Sequence, residues 1–177
     1  MGNEVLQTQD FKIINDPRSN FTTSDLEEQF DLAMKIHAKQ MQIYNLLKQL
    51  RSVRDQVNSF MNSFDDSVKA KPYKSMAKYI IDTATMVEGK LYNQKIKANE
   101  DDLRYPVALG EKLSALKGAV LSADAKPTAS MFISFNSLND RIDVWIKYWK
   151  ELVKTKIEEF NNKAAGESKH VVEIKEK

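Results

Sequence analysis

The chain has 177 residues, 42% of them hydrophobic and 29% charged, and its 27 basic and 25 acidic side chains leave a net charge of +2. That length and apolar content suit one folded domain rather than a disordered chain, and the near balance of charge argues against the concentrated basic face that nucleic-acid binding needs. The absence of cysteine excludes disulfides, thiolate catalysis and cysteine metal sites, and no run approaches the roughly 20 apolar residues of a membrane span.

Residues 5–14 (VLQTQDFKII) alternate loosely and end in β-formers, which predicts a strand. The segment NDPRSN breaks it, because Pro17 fixes its own φ and holds Asp16 extended. In TTSDLEE, Ser24 with Glu27 three positions later fits a capping box, with acidic residues at the positive end of the helix dipole. From Ser24 to about residue 65 no Gly or Pro interrupts a stripe of Leu26, Phe30, Ala33, Ile36, Ile43 and Tyr44, continued by Leu47, Leu50, Val53, Val57, Phe60 and Phe64. The spacing predicts one rod of roughly 60 Å, stable in water only against partners of comparable length.

A second helix is predicted from about Tyr73 to about Ile96, with Pro72 early in it and Met76, Tyr79, Ile80, Thr83, Met86 or Val87, and Leu91 or Lys90 turned inward. KANEDDLRYP reads as a polar loop. Pro106 opens a third, shorter helix with Val107, Leu109, Leu113, Leu116 and Val120 as its stripe. After SADAKPTAS, a fourth helix runs through Phe132, Phe135, Leu138, Ile142, Trp145 and Trp149, then Leu152, Lys156 and Phe160, and stops near Gly166. The expected fold is all-α, an up-and-down antiparallel four-helix bundle with a short β-like N-terminal extension. Residues 1–18 are expected to be an extended segment, 19–166 the bundle, and 167–177 a charged flexible tail.

Chemistry is sparse. A carboxylate-bridged metal bundle needs two Glu-x-x-His pairs facing inward, whereas His37 has no such Glu and His170, three residues after Glu167, lies in the charged tail, and a hydrogen-bonded structural histidine is expected at His37. Glu27 with Glu28, Asp65 with Asp66, and Glu100 to Asp102 fall at helix ends or in loops, where water solvates them. Serine-nucleophile motifs, P-loops and Gly-rich dinucleotide loops are absent. Lys48, Arg51 and Arg54, and Lys69, Lys71 and Lys74, read as an outer face, with Arg51 and Arg54 also placed to pair with carboxylates on a neighbouring helix. Trp145 and Trp149 lie on the stripe, and Tyr148 falls off it. No catalytic, cofactor-binding or metal-binding residue is expected.

Three stretches, FKIINDPRSNFTTSDLEEQFDLAMKI, LRSVRDQV and YPVALGEKLSALKGAVLSADAKPT, resemble the C-terminal helical region of bacterial sortilin-like β-propeller proteins of the BNR-repeat glycosyl hydrolase type. The resemblance rests on Phe11 with Asp16, Pro17 and Arg18, on Leu50, Arg51 and Arg54, and on the run from Pro106 to Leu113. It continues through Ser122, Ala123 and Asp124 with Pro127 and Thr128, and ends on Phe160 and Asn161; the chain departs from it at Gly110, where Asn is expected. It implies a non-catalytic accessory domain, a spacer, packing surface or partner-binding module of a larger exported protein. It also implies that residues 11–14 are the last strand of a preceding β-sandwich, and that any hydrolase activity lies in missing propellers. The expected partners are the preceding domains of the parent and a protein partner, with the isolated domain a monomer. The alternatives are a free-standing bundle that mediates association, or a carbohydrate-active enzyme or carbohydrate-binding module using acids such as Asp124 or Glu100.

Overall fold

A computed structural model describes residues 7–14, 16–65, 67–166 and 172–174. The chain is all-α: α1 spans Thr23–Asn62, α2 Ser67–Leu91, α3 Leu109–Val120 and α4 Ala129–Leu152. A π-helical turn, Val153–Ile157, carries α4 directly into α5, Glu158–Ala164, and a 3₁₀ turn, Asn99–Leu103, lies between α2 and α3.

The helices form the expected all-α bundle, and their residue pairs fix its connections, which depart from a strict up-and-down alternation. Arg51 reaches Glu88 and Arg54 reaches Thr85, so α2 runs antiparallel to α1. Gln29 reaches the Val120 carbonyl and Gln40 the Ser114 hydroxyl, so α3 is antiparallel to α1 as well. Lys39 meets Asp143 and Gln49 meets Trp149, so α4 is parallel to α1. The second connection therefore does not reverse the chain. α2 and α3 follow one another in the same direction and together make one interrupted rod. Lengths explain the arrangement: 40 residues in α1 are matched by 25 and 12 in α2 and α3, and by 24, 5 and 7 in α4, the π turn and α5. Three rods of roughly 55–60 Å can cover one another along their whole length.

At the splice the Glu111 carboxylate accepts the Asn93 N–H at 3.0 Å and the Ala108 N–H at 2.9 Å, tying both ends of the 92–108 loop. Gly110 sits so close to the end of α2 that a Cβ there would lie 2.6 Å from the Leu91 carbonyl oxygen. That oxygen is backbone and cannot swing aside, so neither Ala nor the Asn of the resembling pattern fits without moving a helix. Gly110→Ala should therefore destabilise the protein by roughly 1–3 kcal/mol, the usual range for overpacking, whereas at the open Gly118 the same change should stabilise it. Urea unfolding of the two variants checks this.

Several local expectations are corrected. The capping box uses Thr22 and Asp25, not Ser24 and Glu27: the Asp25 N–H donates to Thr22 Oγ1 at 3.2 Å, and the Thr22 N–H to Asp25 Oδ2 at 2.8 Å. Residues 7–14 form no strand, and Phe11, Ile13 and Ile14 are exposed; the remainder of the predicted strand lies outside the described residues. Without a second strand to pair with, β-propensity alone does not hold one. On α1 the inward face carries Gln29, Leu32, Lys39 and Leu46, while Phe30 and Tyr44 point outward. On α2 the alanines Ala77 and Ala84 are buried, and the bulkier Tyr79 and Met86 are exposed. The helix also ends at Leu91, five residues before Ile96.

The π turn corrects the fourth stripe. A plain α-helix would bring Lys156 inward after Leu152, four residues on. The wider turn delays the next inward position by one residue, so Ile157 is buried and Lys156 faces water, paired with Glu159 at 2.8 Å. Phe160 and Ala164 then follow in the core. Phe160 meets Phe60 edge-on with ring centroids 5.2 Å apart, and Tyr73 meets Phe60 at 5.1 Å, closing one end of the bundle with an aromatic cluster.

Candidate functional site

Two places on the bundle gather polar groups. The first is Glu88, at an inward position of α2 and only 2% exposed. An isolated carboxylate there would cost several kcal/mol of desolvation. Its Oε1 accepts from Arg51 Nε at 2.8 Å and from Gln94 Nε2 at 2.6 Å, and its Oε2 from Arg54 Nη1 at 2.9 Å. Arg51 and Arg54 stand three apart on α1, so both can converge on one residue of the facing helix. Burial by itself would push the Glu88 carboxyl up; the hydrogen bonds from Gln94 and Arg51 and the charges of Arg54 and Arg51 outweigh it and hold the group below the ordinary carboxylate range. Both oxygens are occupied and the charge is compensated, so the group is built to stay ionised and fixed. A general acid needs the opposite, a raised pKa that keeps its proton and an oxygen open to the substrate.

The second place is a groove of about 880 Å³ between α1 and α4. Its α1 side presents Gln42, Asn45, Gln49 and Ser52, and its α4 side Ile146, Trp149 and Lys150. The α1 residues recur at steps of three and four, so they form one polar row along the helix. At one end Lys39, buried to 8% exposure, holds Asp143 at 2.7 Å. Glu173, from the C-terminal segment, lines the groove as well.

That segment, residues 172–174, is seated on the bundle rather than free. Val172 is 4% exposed, and its N–H and carbonyl both pair with the Asn161 amide, at 3.0 and 2.9 Å. The N–H and carbonyl of Glu173 both pair with the Gln56 amide, at 2.7 and 2.9 Å. Successive residues thus offer their backbone groups to opposite sides, as in an extended strand. The expected flexible tail is corrected for these three residues; 167–171 and 175–177 lie outside the described residues. A buried valine with a fully paired backbone outweighs the solubility of the charged residues around it.

The structure disperses the residues singled out in the sequence. His37 is exposed, not in the structural core setting expected of it, and His170 lies outside the described residues. Glu28 pairs with Lys126 at 2.9 Å on the surface. Glu27, Asp65, Glu100, Asp102 and Asp124 are exposed, Asp66 lies outside the described residues, and Asp101 caps the 3₁₀ turn through the N–H groups of Lys97 and Ala98. Those two backbone hydrogen bonds hold the Asp101 carboxyl below its usual range. Among the described residues no cluster of three His, Cys, Asp or Glu could hold a metal ion. Lys69, Lys71 and Lys74 are exposed, and Trp145 is half-buried, its ring 79° from the plane of Tyr148. Trp149 is fully buried, with its indole N–H donated to Gln49 Oε1 at 2.7 Å.

Compared with protein-family models, with curated proteins and with solved structures, the chain has no match. Its chemistry is therefore read from the geometry. Glu88 is a lock between α1 and α2, and the groove offers amides, a hydroxyl, an apolar floor and ammonium groups. Sequence reasoning anticipated a carboxylate partner for Arg51 and Arg54, but not Glu88. It passed over the amide row, although Gln42, Asn45, Gln49, Ser52 and Gln56 keep a helical period in the sequence itself.

Proposed function

We propose that the chain is a non-catalytic helical accessory module that packs against or binds another protein segment. The observation that carries this reading is the state of Glu88: the most deeply buried carboxylate among the described residues has both oxygens engaged in tying α2 to α1 and to the loop that follows α2. The exposed carboxylates are scattered over helix ends, loops and outer helix faces, and the groove carries recognition groups rather than an acid–base pair. The ordered motifs from Phe11 to Asn161 support placing the module at the C-terminal end of a larger exported sortilin-like, BNR-repeat glycosyl hydrolase-like protein. Propeller repeats encoded upstream of residue 1 would support that placement, and an unrelated upstream sequence would sink it. For the module itself, the purified chain should hydrolyse no aryl glycoside; turnover abolished by changing one carboxylate would overturn the reading.

The exposed N-terminal segment supports the same view. Deleting residues 1–10 should change stability by under about 0.5 kcal/mol, as for other surface changes. A large fall in melting temperature would show that this segment packs on the bundle and is no remnant of another domain.

One observation favours a second reading. Phe30, Met34, His37, Met41 and Tyr44 are all exposed on α1 at alternating steps of four and three, the period of a coiled-coil seam. A second copy could cover that stripe. Light scattering over a range of concentrations separates the readings: a monomer throughout supports the accessory module, and a dimer lost on Phe30→Glu supports self-pairing.

A further inference from the structure

Glu173 shows how this bundle grips polypeptide. Its backbone N–H and carbonyl are both taken by one side-chain amide, Gln56, in a two-bond ring that needs no particular side chain on the held residue. Gln56 is the last member of a row that continues through Ser52, Gln49, Asn45 and Gln42 along the groove. From Gln42 to Gln56 the row covers roughly 21 Å, enough for about six residues of extended chain at about 3.3 Å each. Gln42 and Asn45 are exposed and their side-chain amides make no hydrogen bond among the described residues, so they are free for a second stretch of backbone. The floor is apolar, formed by Leu46 and Ile146 over the buried Trp149, and suits alternate aliphatic side chains of a strand, as Val172 is suited by its own pocket.

Charge selects the occupant. Lys39 is neutralised by Asp143, and the one other lining carboxylate, Glu173, stands at the Gln56 end; among the described residues Lys48 and Lys150 have no carboxylate partner, Lys48 resting 4.7 Å over the Tyr44 ring. A sugar fits less well, because Trp149, the one aromatic residue in the described lining, is fully buried and offers no face for stacking, and the nearby Tyr44 ring is covered by Lys48. We propose that the α1–α4 groove binds an extended, acidic polypeptide segment of a partner, its backbone held by the Gln42 and Asn45 amides and its carboxylates met by Lys48 and Lys150. The proposal rests on the partner-binding reading above and gives it a place and a ligand class. The mode is strand-like recognition through backbone hydrogen bonds, with side-chain amides in place of a sheet edge.

The test uses the full chain, labelled with ¹⁵N, and two capped hexapeptides, VEIEVE and its charge-reversed counterpart VKIKVK. Titration with VEIEVE should shift the side-chain amide signals of Gln42 and Asn45 and saturate. The double variant Gln42→Ala/Asn45→Ala should weaken binding at least tenfold, as should Lys48→Glu/Lys150→Glu. These four side chains are exposed, so the variants keep the fold, which the backbone spectrum verifies. Equal affinity for VKIKVK, no saturable shift at millimolar peptide, or binding undiminished in either variant would overturn the proposal. So would shifts confined to Val172 and Glu173, which would mean that the peptide merely replaces the chain's own segment. Binding elsewhere on the bundle would sink this groove and leave the accessory-module reading standing, whereas glycoside turnover would sink that reading and leave the groove intact.

Discussion

Glu88→Ala should destabilise the protein by about 3–5 kcal/mol, the cost typical of removing one partner from a buried ion pair. The loss comes less from the missing bonds than from what remains: Arg54, with its side chain 22% exposed, would keep only the long bond to the Thr85 hydroxyl at 3.3 Å, and both guanidinium charges would lose their carboxylate. Arg54→Ala should cost more than Arg51→Ala, because Arg51 is about half exposed and water can replace part of its environment. Replacing all three by apolar residues of similar volume should come close to neutral, since the desolvation of both charges disappears together. A residual deficit as large as that of Glu88→Ala would show that the carboxylate does more than offset its partners. Acid provides an independent check. The Glu88 carboxyl is held below its ordinary range in the folded state, so its contribution is full above the unfolded pKa of about 4.3 and fades as pH falls through the depressed value. Wild type and Glu88→Gln should therefore differ by a constant amount from pH 7 to about 5, and the difference should begin to shrink below about pH 4 and go on shrinking as pH falls through the depressed value, in urea melts followed by circular dichroism.

Trp149→Ala should cost a similar 3–5 kcal/mol, by a different route. The ring is fully buried where α1 and α4 pack, and its removal leaves a cavity that the rigid rods cannot collapse around. Trp149→Phe should cost less: it keeps much of the apolar volume and loses the indole bond to Gln49 Oε1. Gln49 is only half-buried, so water can satisfy the abandoned oxygen. Equal losses for the two variants would mean that the hydrogen bond, and not the packing, dominates. Trp145 is the only other tryptophan, so Trp145→Phe makes the fluorescence of Trp149 a direct reporter of this interface.

The rods were largely legible because apolar residues recurring once per turn leave little choice about which face is buried. Leu109, Leu113 and Val120 on α3, and the α4 stripe as far as Leu152, lie where the spacing puts them. The departures share a cause: hydropathy ranks residues singly, whereas packing ranks them in pairs. Ala77 and Ala84 are inside α2 because close approach to α1 needs small side chains, which displaces Tyr79 and Met86 outward. Gln29, Lys39 and Glu88 are inside because each finds a partner: the Val120 carbonyl, Asp143, and the two arginines. No scan of one helix at a time can see that. The shift from Lys156 to Ile157 was hidden because a π turn changes the period the pattern assumes. The shared direction of α2 and α3 did leave a trace, since the 17-residue connection is far longer than the few residues that reverse a chain between antiparallel neighbours. At the groove, the acids weighed as catalytic were conspicuous and dispersed, while uncharged amides carried the more organised surface.

The break between Leu91 and Leu109 gives the molecule an articulation. Helical hydrogen bonding cannot propagate across it, so cooperativity along the middle rod stops there, although α1 and the α4–α5 rod run past it unbroken. Each half of the middle rod can loosen against its neighbours while the other stays docked, which makes two zones of amide exchange the natural behaviour of this bundle. The fastening at Glu111 decides how freely they breathe. Because it pins the loop ends on either side, extra chain could be grafted into the excursion at an entropic cost of only about 0.6 kcal/mol per doubling of its length.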